Sequence, residues 1–256
     1  MKLEGKECTD GEIFRCSSRQ CRKTKSVRDG SFFSKSKLSL EEQVLLIHLF
    51  AKRYPECLIL DDFEFSPNTV CDWMRYGREI CVNRIESLAD EQIGGPNCTV
   101  EIDESVIVRR KYERGRVLST QWMFGAVERR EGGYGSCFIE LVDDKSQETL
   151  IEIICRRIHP ESRIVSDGLR AYRNFQEYGF AHDIVIHERN FVDPDDESIH
   201  TQGVESLWSA LKRFLRSKGT NRGPHNWEYI CEFVYRRLFP RCFDVLLADI
   251  ARMCPM

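Results

Sequence analysis

Three strand-like runs follow one another between residues 99 and 142, and their simplest arrangement is an antiparallel succession. The first, Thr99-Val100-Glu101-Ile102-Asp103-Glu104-Ser105-Val106, alternates apolar and polar residues. With a side-chain period of two, Glu101 and Asp103 share one face and Glu104 takes the other. A basic turn over residues 109–116 leads to runs at 121–128 and 135–142, which are separated by Gly132-Gly133, a hairpin signal.

Residues 147–158 then read as a helix with Leu150, Ile151, Ile154 and Ile158 on one side, ended by His159-Pro160. Arg163-Ile164-Val165-Ser166-Asp167-Gly168 is a short buried strand closing on an acid and a glycine. A short helix at 169–178 and a strand at 183–187 complete the series. The fold class expected is therefore α/β, with a ribonuclease H-like mixed sheet and flanking helices over residues 93–256. Gly94-Gly95-Pro96-Asn97 is a breaker cluster that marks its start.

A chain of 256 residues can bury one such core plus a small accessory module. That module divides into a basic, zinc-ribbon-like segment over 1–37 and a helix-turn-helix over 38–92. In the first, Cys16 and Cys21 are candidate zinc ligands. A structural zinc needs four, Cys8 is the nearby third cysteine, and His48 lies in an apolar helical run where a core or helix-surface role is expected. The result is a partial ribbon, with Zn²⁺ as a candidate cofactor. In the second segment Ser39 caps a helix running to about Arg53. Ser66-Pro67 opens another with Arg75 and Arg78 expected on its exposed side, suited to entering a DNA groove. The alternative is a helical hairpin that packs on the catalytic domain.

The net charge of −3 averages over segments of opposite character. Basic stretches around Arg22 and Lys23, around Arg114 and Arg116, and around Lys212 and Arg216 are candidate DNA contacts. Most of the 12 cysteines are scattered singly through apolar segments (Cys57, Cys71, Cys81, Cys137, Cys155 and Cys231) and are expected as buried thiols, with no disulfides. No apolar run is long enough to cross a bilayer, and Met1-Lys2-Leu3-Glu4-Gly5-Lys6-Glu7 lacks the apolar core of a signal peptide. The expected location is nuclear in a eukaryote and cytoplasmic otherwise, without secretion or membrane attachment.

The chemistry rests on three acids. Asp103 and Asp167 sit at the polar ends of strands. Glu205 opens a helix whose apolar stripe is Val204, Leu207, Trp208, Leu211 and Leu215, with Lys212 and Arg216 further along the glutamate's side. Phosphodiester cleavage requires removal of about 20 kcal/mol of barrier. Two Mg²⁺ or Mn²⁺ ions roughly 4 Å apart achieve this by activating the attacking oxygen and stabilising the leaving one. Such ions need carboxylate oxygens, and Asp103 would bridge both, with Asp167 on one and Glu205 on the other. Glu101, Glu104 and the loop acids of Asp193-Pro194-Asp195-Asp196-Glu197 are expected to stand outside the ligand set.

The strings Gly30-Ser31-Phe32-Phe33 with Ser36-Lys37-Leu38, Glu101-Ile102-Asp103-Glu104-Ser105, Lys111-Tyr112-Glu113-Arg114-Gly115-Arg116, Trp122-Met123-Phe124-Gly125, Ser166-Asp167-Gly168-Leu169-Arg170-Ala171-Tyr172, Phe191-Val192-Asp193-Pro194 and His200-Thr201-Gln202-Gly203-Val204-Glu205-Ser206-Leu207-Trp208 occur in that order. Together they resemble the transposases of the Merlin superfamily and their bacterial insertion-sequence relatives, from about residue 14 to about 239. The resemblance implies a DDE transposase with Asp103, Asp167 and Glu205 as its metal-binding acids. It further implies Mg²⁺-dependent cleavage at element ends, attack of the freed 3′-hydroxyl on target DNA, and a homo-oligomer assembled on double-stranded DNA. His200 would lie near the site. Phe14 stands where the family has Trp, and Gln202 where it has Asn. The family's first Cys-Pro-x-Cys pair would fall just before Met1, so Met1 is expected to be an internal methionine of a longer product, or the copy truncated. The alternative function is a domesticated or decayed transposase acting as a DNA-binding protein; a weaker one is a non-transposing nuclease.

Overall fold

The computed structural model describes residues 1–107, 121–169, 172, 175–185, 199–219 and 226–254. They form two compact units, one of Met1–Arg84 with Phe239–Met256, the other of Ile85–Leu238.

The first unit opens with an antiparallel meander of β1 (Lys2–Gly5), β2 (Glu12–Arg15) and β3 (Thr24–Ser26). It buries little apolar surface of its own, Ile13 being its buried residue. An ion pair ties it down instead. Arg28 Nε meets Asp10 Oδ2 at 2.8 Å, and both side chains are buried. Asp10 Oδ1 accepts the N–H of Leu40 at 2.9 Å, while Arg28 donates to the carbonyl of Leu38 at 2.6 Å. Leu40 begins α1 (Leu40–Ala51), so the pair joins the meander to the helix start. Ser39 and Glu42 form the expected capping box. The Cys16 thiol is held below its ordinary pKa by the Ser18 backbone and then by Cys21, which puts the two knuckle cysteines together. Among the described residues no three His, Cys, Asp or Glu side chains group to hold a metal ion.

A short helix that the sequence reading did not include, α2 (Glu56–Asp62), precedes α3 (Pro67–Ser87). Ser66 Oγ accepts the Thr69 N–H at 3.1 Å, and Pro67 occupies the first turn, where its missing N–H is harmless. Arg75 is exposed beside Tyr76, but Arg78 is buried, contrary to the expected exposed arginine face. The reason is spacing: Arg78 lies four residues after Met74 and three before Cys81, inside the buried stripe of α3. The last helix, α7 (Cys242–Met253), belongs to this unit and not to the expected 93–256 domain; His48 packs edge-on against its Phe243.

The second unit is a five-stranded mixed sheet in the order β6-β5-β4-β7-β8. β4 (Thr99–Val106), β5 (Trp122–Arg130) and β6 (Gly133–Val142) are antiparallel, while β7 (Arg163–Asp167) and β8 (Ala181–Val185) run parallel to β4. The alternation read from sequence assigns the two faces. Val100, Ile102, Phe124 and Phe138 meet Leu150 and Ile154 of α4 (Gln147–Arg157). Met123, Val127 and Ile139 on the other face meet Val204, Leu207, Leu211 and Leu215 of α5 (Gln202–Ser217), joined by Ile230 and Val234 of α6 (Asn226–Leu238). Helices on both faces of a mixed sheet are what the sequence predicts; α6 was not foreseen. Of the expected 169–178 helix, the described part includes the 3₁₀ turn at Phe175–Tyr178, and β8 starts two residues earlier than expected.

All 12 cysteines are free, but Cys57, Cys71 and Cys155 are exposed, whereas Cys81, Cys137 and Cys231 are buried as expected. Arg114 and Arg116 of the basic turn, and the loop acids at 193–197, lie outside the described residues. Among those described, no helix is long and apolar enough to cross a membrane.

Candidate active site

Asp103 lies on the β4 face that meets α5. Its Oδ2 accepts the indole N–H of Trp208 at 3.0 Å. The strand partner of Asp103 is Gly125, and a Cβ there would stand 2.5 Å from the Trp208 ring. Absence of a side chain at 125 is thus what lets the indole pack against the sheet and reach the carboxylate. Asp167 closes β7, where its Oδ1 accepts the N–H of Leu169 at 3.1 Å. Glu205 is in the first turn of α5, and its Oε1 accepts the Thr201 hydroxyl at 3.2 Å.

Electrostatics tie the three together. Burial pushes Asp103 up to about 6; Asp167 adds to the rise and Glu205 adds less, against the opposing Glu104 backbone and Trp208 hydrogen bonds. Carboxylates from β4, β7 and α5 therefore face one another closely enough to repel. Among the described residues they do not close into a group that holds a metal ion. The donor set nevertheless fits a hard divalent cation, since its oxygens match the ion's preference and its charge would relieve the repulsion that raises Asp103.

Glu104, on the opposite strand face, is pushed up to about 8 by burial, then by Asp103 and Asp167, against the pull of Lys145 at 4.0 Å. Lys145 also sits 4.3 Å from the centre of the Trp122 ring. Lys212 Nζ donates to Ser105 Oγ at 2.6 Å. With exposed Arg216, it lines a cavity of about 520 Å³ next to Glu104 and Trp122. The expected phosphate-side cations of α5 thus stand beside the strand that bears Asp103. Arg22, Lys23 and Arg75 are exposed in the first unit.

Glu101, expected to be a bystander, has a structural task. It is fully buried, accepts backbone N–H groups from Gly203 and Val204, and pairs with Arg129 Nε at 2.6 Å. Arg129 also reaches His200 Nδ1 at 3.2 Å and donates to the His200 carbonyl. Burial, then the Arg129 charge, holds His200 below the ordinary histidine range, so its ring is neutral at physiological pH. Sequence reading missed Trp208 as a donor, because its place in the apolar stripe accounted for it. It missed Arg129 because nothing local distinguishes a strand-end arginine. The signal for Thr201 was present, four residues before Glu205 at a helix start.

Two solved structures show distant similarity. The crystal structure of the Mos1 strand transfer complex has 13% identity and a TM-score of 0.24, over 81% of this chain and 77% of that one. A pre-cleavage Mos1 transpososome has 12% identity and a TM-score of 0.21, over 81% and 78%. Among curated proteins no sequence match is found. The profile of the ISXO2-like transposase domain matches residues 93–237, which include Asp103, Asp167 and Glu205 together with the sheet and helices that carry them. With more than half its length matched, the chain belongs to the family of ISXO2-like transposase domains.

Proposed function

We propose that this transposase is a DDE enzyme of the Merlin type, which cleaves transposon ends and transfers the freed strand into target DNA with divalent-metal assistance. The observation that supports it most is the convergence of Asp103, Asp167 and Glu205, in which burial first, then the charge of Asp167 and to a smaller degree that of Glu205, lift Asp103 to about 6. Two Mg²⁺ or Mn²⁺ ions, when bound, would supply activation of the attacking oxygen and stabilisation of the leaving one. Asp103, Asp167 and Glu205 would hold them.

The chain's own groups do the rest. Trp208 fixes the rotation of the Asp103 carboxyl and Thr201 orients Glu205. Lys212 and Arg216 offer cations to the strand phosphates along the cavity beside β4. The helices α1 to α3 and the basic residues Arg22, Lys23 and Arg75 would bind the duplex of the element end, with the partial ribbon as a candidate zinc knuckle. A homo-oligomer would hold two ends together.

The test is strand transfer on end-sequence DNA with Mg²⁺, comparing wild type with Asp103→Asn, Asp167→Asn and Glu205→Gln. All three should lose cleavage, by a thousandfold or more on the order expected for a lost metal ligand, while DNA retention in gel shifts persists. Wild-type cleavage by any one of them removes that acid from the site.

A further inference from the structure

An α-helix leaves its first backbone N–H groups without partners, and the N-cap side chain ordinarily takes one of them. In α5 the N-cap residue is Thr201, and it makes no side-chain cap bond. Its hydroxyl is turned onto Glu205 Oε1 instead. The cap comes from another element. Glu101 Oε2 accepts the N–H of Gly203 at 2.6 Å and that of Val204 at 3.0 Å, the second and third residues of the helix. The other oxygen of Glu101 is met by Arg129, which also grips His200 just ahead of the helix.

We propose that Glu101 is a positioning residue for the acid cluster: by capping α5 from strand β4 it locks the helix that bears Glu205 to the strand that bears Asp103, and frees Thr201 to orient Glu205. Glu101 and Asp103 are two residues apart on one strand face, so about 7 Å of rigid strand links the brace to the ligand. Glu205 follows the braced amides within the same turn of helix, where fraying would otherwise be greatest. The Arg129 guanidinium offsets the charge of the buried carboxylate and pins the segment leading into α5. This brace rests on the reading of Asp103, Asp167 and Glu205 as the metal-holding set.

The test measures Mn²⁺ binding to the full chain by titration calorimetry, alongside metal-free thermal melting, for wild type, Glu101→Gln, Thr201→Val and Asp103→Asn. Glu101→Gln should weaken Mn²⁺ binding about 10- to 100-fold, in the range for residues that orient metal ligands. Thr201→Val should weaken it about tenfold with an unchanged metal-free melting temperature. A Glu101→Gln protein that melts earlier yet binds Mn²⁺ like wild type overturns the proposal, because its role is then structural alone. Should that variant not fold, Thr201→Val decides, and wild-type affinity there overturns it equally. Loss of binding in Asp103→Asn with no change in the other two removes the brace and keeps the metal site. Wild type that does not bind Mn²⁺, or binds it as well with Asn at 103, removes the metal reading and the brace with it.

Discussion

Asp103 in the metal-free protein is a crowded, buried carboxyl whose pKa of about 6 lies above the ordinary 3.8. The folded state therefore holds this proton more tightly than the unfolded chain does. Stability contributed in this way is complete at low pH and is lost as pH rises through about 6. The loss is on the order of 3 kcal/mol. Asp103→Asn should then raise the metal-free melting temperature at pH 8 by roughly 5 °C, with the gap shrinking by pH 5; melts at the two pH values measure it, and coincident curves at pH 8 would show that the carboxyl is not crowded. Glu104 obeys the same rule. With its pKa near 8 it is mostly protonated at pH 7, whereas in the unfolded chain it is ionised, and Glu104→Gln keeps the neutral shape without that cost. The variant should therefore be more stable than wild type at pH 7, on the order of 3 kcal/mol, with the gap shrinking towards pH 5, and a loss of stability instead would mean that the carboxyl is ionised against Lys145.

At the scale of elements, the close approach of α5 to the sheet is controlled by two glycines with different neighbours. A Cβ at Gly125 would meet the Trp208 ring at 2.5 Å, and that ring is buried between sheet and helix. A Cβ at Gly203 would strike the ring of Tyr134, which is 40% exposed and can swing away. Gly125→Ala should accordingly cost about 2 kcal/mol and disturb the bond to Asp103, while Gly203→Ala should cost well under half of that; denaturant titration of both separates them. Much of this arrangement was legible in the chain. Alternation in residues 99–106 told which side of β4 each acid takes, Gly132-Gly133 gave the hairpin, and the stripe from Val204 to Leu215 told which side of α5 is buried. Illegible were the contacts that depend on register between distant strands. Nothing near Arg129 says that it will meet Glu101 and His200. Arg78 misled because a charged residue in a buried stripe looks, by type alone, like an exposed one.

For the molecule as a whole, residues 239–256 complete the unit that the N-terminal residues begin. Leu246 and Ile250 of α7 are buried there. A chain ending after Leu238 should lose the cooperative melting of the first unit and keep that of the second, whose two apolar layers lie within residues 85–238. Scanning calorimetry with limited proteolysis would show this, and an intact first transition would mean that α7 is dispensable. The bond between Trp208 and Asp103 has a consequence of another kind. Of the chain's 4 tryptophans, Trp208 donates its indole proton to the acid at the centre of the cluster, whereas Trp227 donates to Glu86. Indole emission responds to the electric field along its N–H, so protonation of Asp103 or the arrival of a cation there should shift the colour of Trp208 fluorescence. With Trp73, Trp122 and Trp227 replaced by phenylalanine, the carboxylate proposed to hold metal would come with its own optical reporter, readable in solution without any attached dye.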